Sequence, residues 1–328
     1  MIKALLLIGM WVASMSLVAQ DLKQATPLSG EGLYTFLERN GVERKFKNEF
    51  VELNASRMGA NGSLLKGVSY RIKPEWIAVP EEEWRVYPIF GKEHQRLEIL
   101  SNELEGSIFY LVSGHGGPDP GAVGKHPRGD LCEDEYAYDV TLRLARWLIQ
   151  RNALVYFIVR DDNDGIRDGA YLPCDKDEYA YTRGRIPANQ VKRLEQRTAI
   201  INSLYRKHRG SRYQRMVSIH VDSRATNENV DVFFYHHGNS RRGKKLANDI
   251  LFTFDRNYKA FQPNRTYRGS VKPRSSLFVL KNTSPAAVFV ELGNIVNKRD
   301  QRRVLIDDNR QALAKWIGEG LVKNFKER

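Results

Sequence analysis

Two histidines and a glutamate stand at the ends of apolar runs. "SIFYLVSGHGG" leads into His115, "MVSIHVDS" carries His220, and "AAVFVELGN" carries Glu291. Runs of that length and composition read as buried strands. In open α/β sheets the reacting groups gather at the carboxyl edge of the strands. Two imidazoles and a carboxylate delivered to one edge suit a divalent metal plus a base. A catalytic zinc takes three protein ligands and keeps one position open for water. The histidines therefore call for a carboxylate, with Glu291 left to move protons.

The chain offers that carboxylate twice. Asp-Glu-Tyr-Ala-Tyr occurs at 134–138 and again at 177–181, each shortly after one of the only two cysteines, Cys132 and Cys174. In the first copy, Tyr136, Val140, Leu144 and Leu148 form an i, i+4 stripe, so Glu135 opens a helix and has a fixed mount. In the second, Glu178 is followed by "YAYTRGRIPAN", where Gly184 and Pro187 break any long helix; it reads as loop or lid. Rigidity favours Glu135, with Glu133 the competitor by position. A carboxylate at this place would otherwise serve only the helix N-terminus, worth about 0.3–1 kcal/mol.

The elements needed to position these groups follow from pattern. After "SIFYLVSG" and the helix from Tyr136, "ALVYFIV" reads as a strand and Leu194 to Tyr205 as a helix. "MVSIHV" and "VDVFFYHH" read as strands, Leu246 to Tyr258 as a helix, "SLFVL" and "AAVFVEL" as strands, and Ala312 to Phe325 as the closing helix. Such alternation predicts an α/β fold with a twisted, mostly parallel sheet flanked by helices. His236 and His237 end one strand and read as surface histidines, as does His126 in its loop.

Upstream lies a different unit. Leu33, Phe36 and Leu37 have helical spacing stopped by Gly41; Phe50, Val51 and Leu53 mark a second short helix; Val68, Tyr70 and Ile72 alternate like a strand ended by Pro74. Residues 76–106 read as a connector. The first nineteen residues have Lys3, an apolar run and Ala19, the pattern of a secretory signal. No cysteine stands near the cut to take a lipid, and the mature chain has no membrane span. Export places it in the periplasm or cell envelope, where Cys132 and Cys174 could pair or remain thiols. The net charge of +13 suits a polyanionic partner; with no nucleic-acid motif, the anionic cell wall fits better.

Two resemblances follow. "LYTFLERNGV" and "LLKGVSYRIKP" resemble a LysM module, which implies a small α+β wall-glycan binder over 29–75. "SGHGGPDPGAVG", "EDEYAYDVTLRLA", "RLEQRTAIIN", "VSIHVDS" and "PAAVFVELGNIVN" stand in the order of zinc-dependent N-acetylmuramoyl-L-alanine amidases, and the match runs over 107–328. It implies zinc held by His115, Glu135 and His220, with Glu291 as acid/base and Arg197 in a supporting place. The glutamate motif departs from the family's Glu-Lys-Asp-Val run; Glu135 alone, four residues before Asp139, keeps the register. Residues 163–191 look like an insertion that forms a lid. The implied reaction is hydrolysis of the amide between N-acetylmuramic acid and L-alanine of peptidoglycan, with no regulatory partner indicated. A wall-binding protein without catalysis and a zinc peptidase acting on wall peptides are the rival readings.

Overall fold

The computed structural model describes residues 22–76, 85–224 and 230–328. The signal segment over 1–19 lies outside them. The chain divides between Glu82 and Glu83 into two compact units.

In the first unit, Lys23–Ala25 pairs antiparallel with Tyr70–Ile72. Two seven-residue helices, Leu33–Arg39 and Lys47–Leu53, lie between them in sequence. Phe36, Phe50, Tyr70 and Trp76 form its core. Asn54 is buried and ties helix to strand: its Oδ1 accepts from Arg71 N at 2.8 Å and its Nδ2 donates to Phe50 O at 2.9 Å. Both helices and the second strand follow the sequence pattern. The strand at Lys23–Ala25 does not, because three polar or small residues carry no alternation signal.

The second unit is built on six strands: β1 (Ser107–Ser113), β2 (Leu154–Phe157), β3 (Tyr213–Asp222), β4 (Phe233–His236), β5 (Ser270–Pro273) and β6 (Ala286–Asn294). Their order across the sheet is β5-β4-β6-β3-β1-β2. Only the β4–β6 pairing is antiparallel. The helices are α1 (Glu133–Ile149), α2 (Gln190–Lys207), α3 (Arg241–Phe261), α4 (Phe278–Asn282), α5 (Lys298–Leu305) and α6 (Asp307–Lys326).

Side chains alternate along β1. Phe109 and Leu111 join the core with α1, α3 and α6; Ile108, Tyr110 and Val112 join that with α2 and α4. Covered on both faces, β1 is buried throughout, which is why its sequence is an unbroken apolar run.

Three expectations change. "SLFVL" contributes to α4 rather than a strand; a five-residue apolar run has no decisive periodicity, and Val279 and Leu280 pack on the sheet from the α2 side. The strand of that region is β5, a polar edge element. Residues 85–106 are not a separate connector: Phe90, Leu97 and Leu104 belong to the main core of the second unit. Finally, "ALVYFIV" splits into β2 and Val159–Arg160, and the latter pairs antiparallel with Tyr179–Ala180 of the second pentapeptide copy.

Candidate metal centre

Strands β1, β3 and β6 are adjacent and parallel, so their carboxyl ends share one edge. His220 and Glu291 are direct register partners across β3 and β6. His115 follows the end of β1, with φ of 58°, a left-handed conformation uncommon for a residue with a Cβ. Gly114 before it is required by space: a Cβ there would stand 2.3 Å from the His220 ring.

The carboxylate between the histidines is Glu133, not Glu135. Glu133 Oε2 lies 3.2 Å from His115 Nε2, and Oε1 lies 2.9 Å from His220 Nδ1. The ligand-type atoms of these three residues all fall within 4.8 Å of one another. Backbone donors fix the carboxylate further: Ala122 N donates to Oε2 at 2.8 Å and Val221 N to Oε1 at 3.0 Å. The expectation for Glu135 fails on helical geometry. Residues two apart on an α-helix point about 200° apart. Glu135 does share a face with Asp139, but that face meets Arg167: Arg167 Nη1 donates to Glu135 Oε2 at 3.0 Å, and Asp175 N donates to Oε1 at 2.8 Å. Cys132 and Cys174 are joined in a disulfide, with 5.7 Å between their Cα atoms.

Glu178 does stand in a loop, just before the short strand Tyr179–Ala180, but not at the surface. It is buried, and its Oε2 accepts from Gly117 N at 2.6 Å. His236 is buried rather than at the surface, and its Nδ1 lies 2.9 Å from His237 O. His126 stacks on Tyr171. Arg197 donates to the His115 carbonyl, a supporting place.

Sequence reading missed the groups behind the ligands. Asp119 Oδ2 lies 2.9 Å from His115 Nδ1 and is itself held by Arg193 Nη2 at 2.5 Å. The available signal was spacing, since Asp119 stands four residues after His115. His220 stacks on Phe289 with 4.0 Å between ring centroids.

The electrostatics follow from crowding. Burial opposes charge on His115, but hydrogen bonds to Asp119 and Glu133 outweigh it and push its pKa up to about 10. Burial dominates at His220 and lowers its pKa, with Glu133 acting against it. Burial would raise Glu133, yet the two imidazoles hold it well below the usual carboxylate range. Burial, then the charges of Glu133 and Asp222, push Glu291 well above that range. Glu291 Oε2 is buried without a hydrogen-bond partner among the described residues. His115, Glu133, His220 and Glu291 all line one cavity of about 360 Å³, together with Arg193, Arg274 and Phe289.

These residues suit a zinc ion. The donor set is two imidazoles and a carboxylate, His115 has a carboxylate on its far nitrogen as metal-binding histidines do, and a base stands beside them. The pocket around the donors is also kept clear: a Cβ on Gly121 would lie 2.6 Å from Glu133 Oε2 and 2.7 Å from His115.

The chain is similar in sequence to cell wall amidases. The germination-specific N-acetylmuramoyl-L-alanine amidase of Bacillus subtilis is 25% identical over 225 residues, covering 69% of this chain and 82% of that protein. The probable cell wall amidase LytH of Staphylococcus aureus is 25% identical over 264 residues, 76% of this chain and 72% of that protein. Among solved structures, the CwlD amidase of Clostridioides difficile, determined in complex with the GerS lipoprotein, superposes with a TM-score of 0.51 at 21% identity, over 68% of this chain and all of that chain; it speaks for the fold. The family model described as N-acetylmuramoyl-L-alanine amidase matches residues 110–323, and the chain belongs to that family.

Proposed function

We propose that this protein is an exported zinc amidase that cleaves the bond between N-acetylmuramic acid and the L-alanine of peptidoglycan stem peptides. The observation that carries the reading is the convergence of His115, Glu133 and His220, with Glu291 in register beside His220. The first three would hold zinc, which supplies a polarised scissile carbonyl and an acidified water.

The chain's own groups do the rest. Asp119 holds His115 through Nδ1, leaving Nε2 turned towards Glu133. The hydrogen bonds from Ala122 N and Val221 N keep the Glu133 carboxylate in one orientation. Glu291, with an oxygen that no donor among the described residues satisfies, takes a proton from the attacking water and returns it to the leaving amine nitrogen of L-alanine. Its burial raises its pKa, which suits a group that must both accept and donate near neutrality.

The N-terminal unit supports wall attachment: it has its own core, and its sequence resembles a LysM module. The excess of basic residues adds attraction to an anionic envelope. The test is to incubate the purified protein with defined muropeptides, with and without prior removal of metal, and identify the products by mass spectrometry. Free lactyl carboxyl and free L-alanine amine in zinc-loaded samples only are expected; cleavage within the stem peptide would point to a peptidase instead.

A further inference from the structure

The two copies of the repeated pentapeptide meet in space. The Cys132–Cys174 bond draws together the residues just before each copy. Asp134 and Glu135 of the first and Glu178 of the second each bring a carboxylate oxygen within 4.8 Å of the other two, and all three residues are buried. Glu135 belongs as well to a group with Asp164 and Asp175, and Glu178 to one with Asp161 and Asp175. Six carboxylates are thus joined through shared members. The cations set against them among the described residues include Arg167, paired with Glu135 and Asp164, Arg197, whose charge reaches Asp134 and Glu178, and His115, whose charge reaches Asp134. Two guanidiniums and one imidazolium do not neutralise six carboxylates.

Asp134 turns this cluster into a site. It is 1% exposed, and its Oδ2 has no hydrogen-bond partner among the described residues. Its Oδ1 accepts a local bond, from Glu135 N at 3.0 Å. A buried acceptor left without a donor costs about 1–3 kcal/mol, and more when charged. An ion removes that cost and the mutual repulsion together.

We propose that Asp134, Glu135 and Glu178 hold a second divalent cation, of the calcium class, which fastens the 163–191 insertion to the first turn of α1. The donors are all oxygen, without imidazole or thiolate, which selects a hard cation over zinc. Calcium takes six to eight oxygens in irregular geometry, whereas magnesium keeps several waters and strict octahedral order. Asp161 and Asp175 stand next to the three as further donors. The site is separate from the zinc ligands and does not depend on their assignment.

The test is equilibrium dialysis of the protein against radiolabelled calcium, with zinc supplied throughout, for the unaltered chain and for Asp134→Asn, Glu178→Gln and Glu133→Gln. One calcium per chain is expected, with a dissociation constant of about 0.1–1 mM, the range of extracellular modules. Asp134→Asn and Glu178→Gln should each weaken it by more than about 10-fold, while Glu133→Gln retains it. Added calcium should also raise the melting temperature of the unaltered chain. No calcium retained at about 10 mM, well above that range, overturns the proposal. So does loss in Glu133→Gln with retention in Asp134→Asn, which would place the calcium in the catalytic pocket. Asp134→Asn melting above the unaltered chain, with calcium changing neither, would show that a shared proton fills the cluster.

Discussion

Glu133 and Glu135 leave the same helical turn in opposite directions. One enters a cavity open to substrate and sits between two histidines; the other enters a closed cluster of carboxylates under the insertion. Composition does not separate the two regions, since both are buried and acidic. Partners do. Around Glu133 the neighbouring groups are imidazoles; around Glu135 they are a guanidinium and more carboxylates. A helix start is a good mount for a ligand, and which face it presents decides the chemistry.

The largest expected effect breaks that comparison directly. Glu133→Ala should lower zinc affinity by more than the ~10–100-fold that losing an outer partner costs, and turnover should go with it. Glu135→Ala should keep zinc and lose stability, on the order of 1–3 kcal/mol, because Arg167 forfeits one of its carboxylates. Zinc content and melting temperature, measured side by side, check both. Zinc lost from the Glu135 variant and kept in the Glu133 variant would reverse the assignment.

Glu291→Gln tests the other half of the catalytic region. The amide keeps shape but cannot carry the proton, so turnover should fall by about 10²–10⁴-fold with zinc still bound. Turnover within threefold of the unaltered enzyme would remove Glu291 from its role.

The sequence made the sheet edge legible because β1, β3 and β6 are covered on both faces and so read as apolar runs ending in His115, His220 and Glu291. It made the helix legible by the Tyr136–Leu148 stripe. It did not reveal which way the first turn points, since its capping residues are buried on all sides and Glu133, Asp134 and Glu135 are equally acidic. Polar edge elements such as β5 and the strand at Lys23–Ala25 were silent for the same reason: nothing in them alternates. The second pentapeptide copy misled because Gly184 and Pro187 mark a loop, while the partner that makes Tyr179–Ala180 a strand lies some twenty residues upstream.

The disulfide joins the two copies and sets the next effect. It closes a loop of 42 residues, so its removal should cost up to about 4 kcal/mol on a chain-entropy basis. Cys174→Ser should therefore melt well below the unaltered chain. Zinc content should be unchanged, because Glu133 is held by Ala122 N, Val221 N and the two histidines, none of which lies in the insertion. A Cys174→Ser chain that loses zinc would tie the insertion to the metal pocket and erase the distinction drawn between the regions.

The smallest effect lies at Asp161, on the far side of the carboxylate cluster. Its Oδ1 accepts from Asn163 N at 2.8 Å and Asp164 N at 2.9 Å. Burial nevertheless dominates and pushes its pKa up to about 7, from 3.8 in a free side chain. Between those two values the folded chain holds a proton that the unfolded chain has released. Stability from this group is therefore fully present below the lower value and declines as pH rises through the upper one. Asp161→Asn keeps the acceptor oxygen but cannot ionise. Without added calcium, its melting curve should be flatter than that of the unaltered chain from pH 4 to 7. Above that window it should be the more stable of the two. Parallel slopes for the two proteins would mean that Asp161 is ionised in the fold and that the cluster carries its full charge by other means.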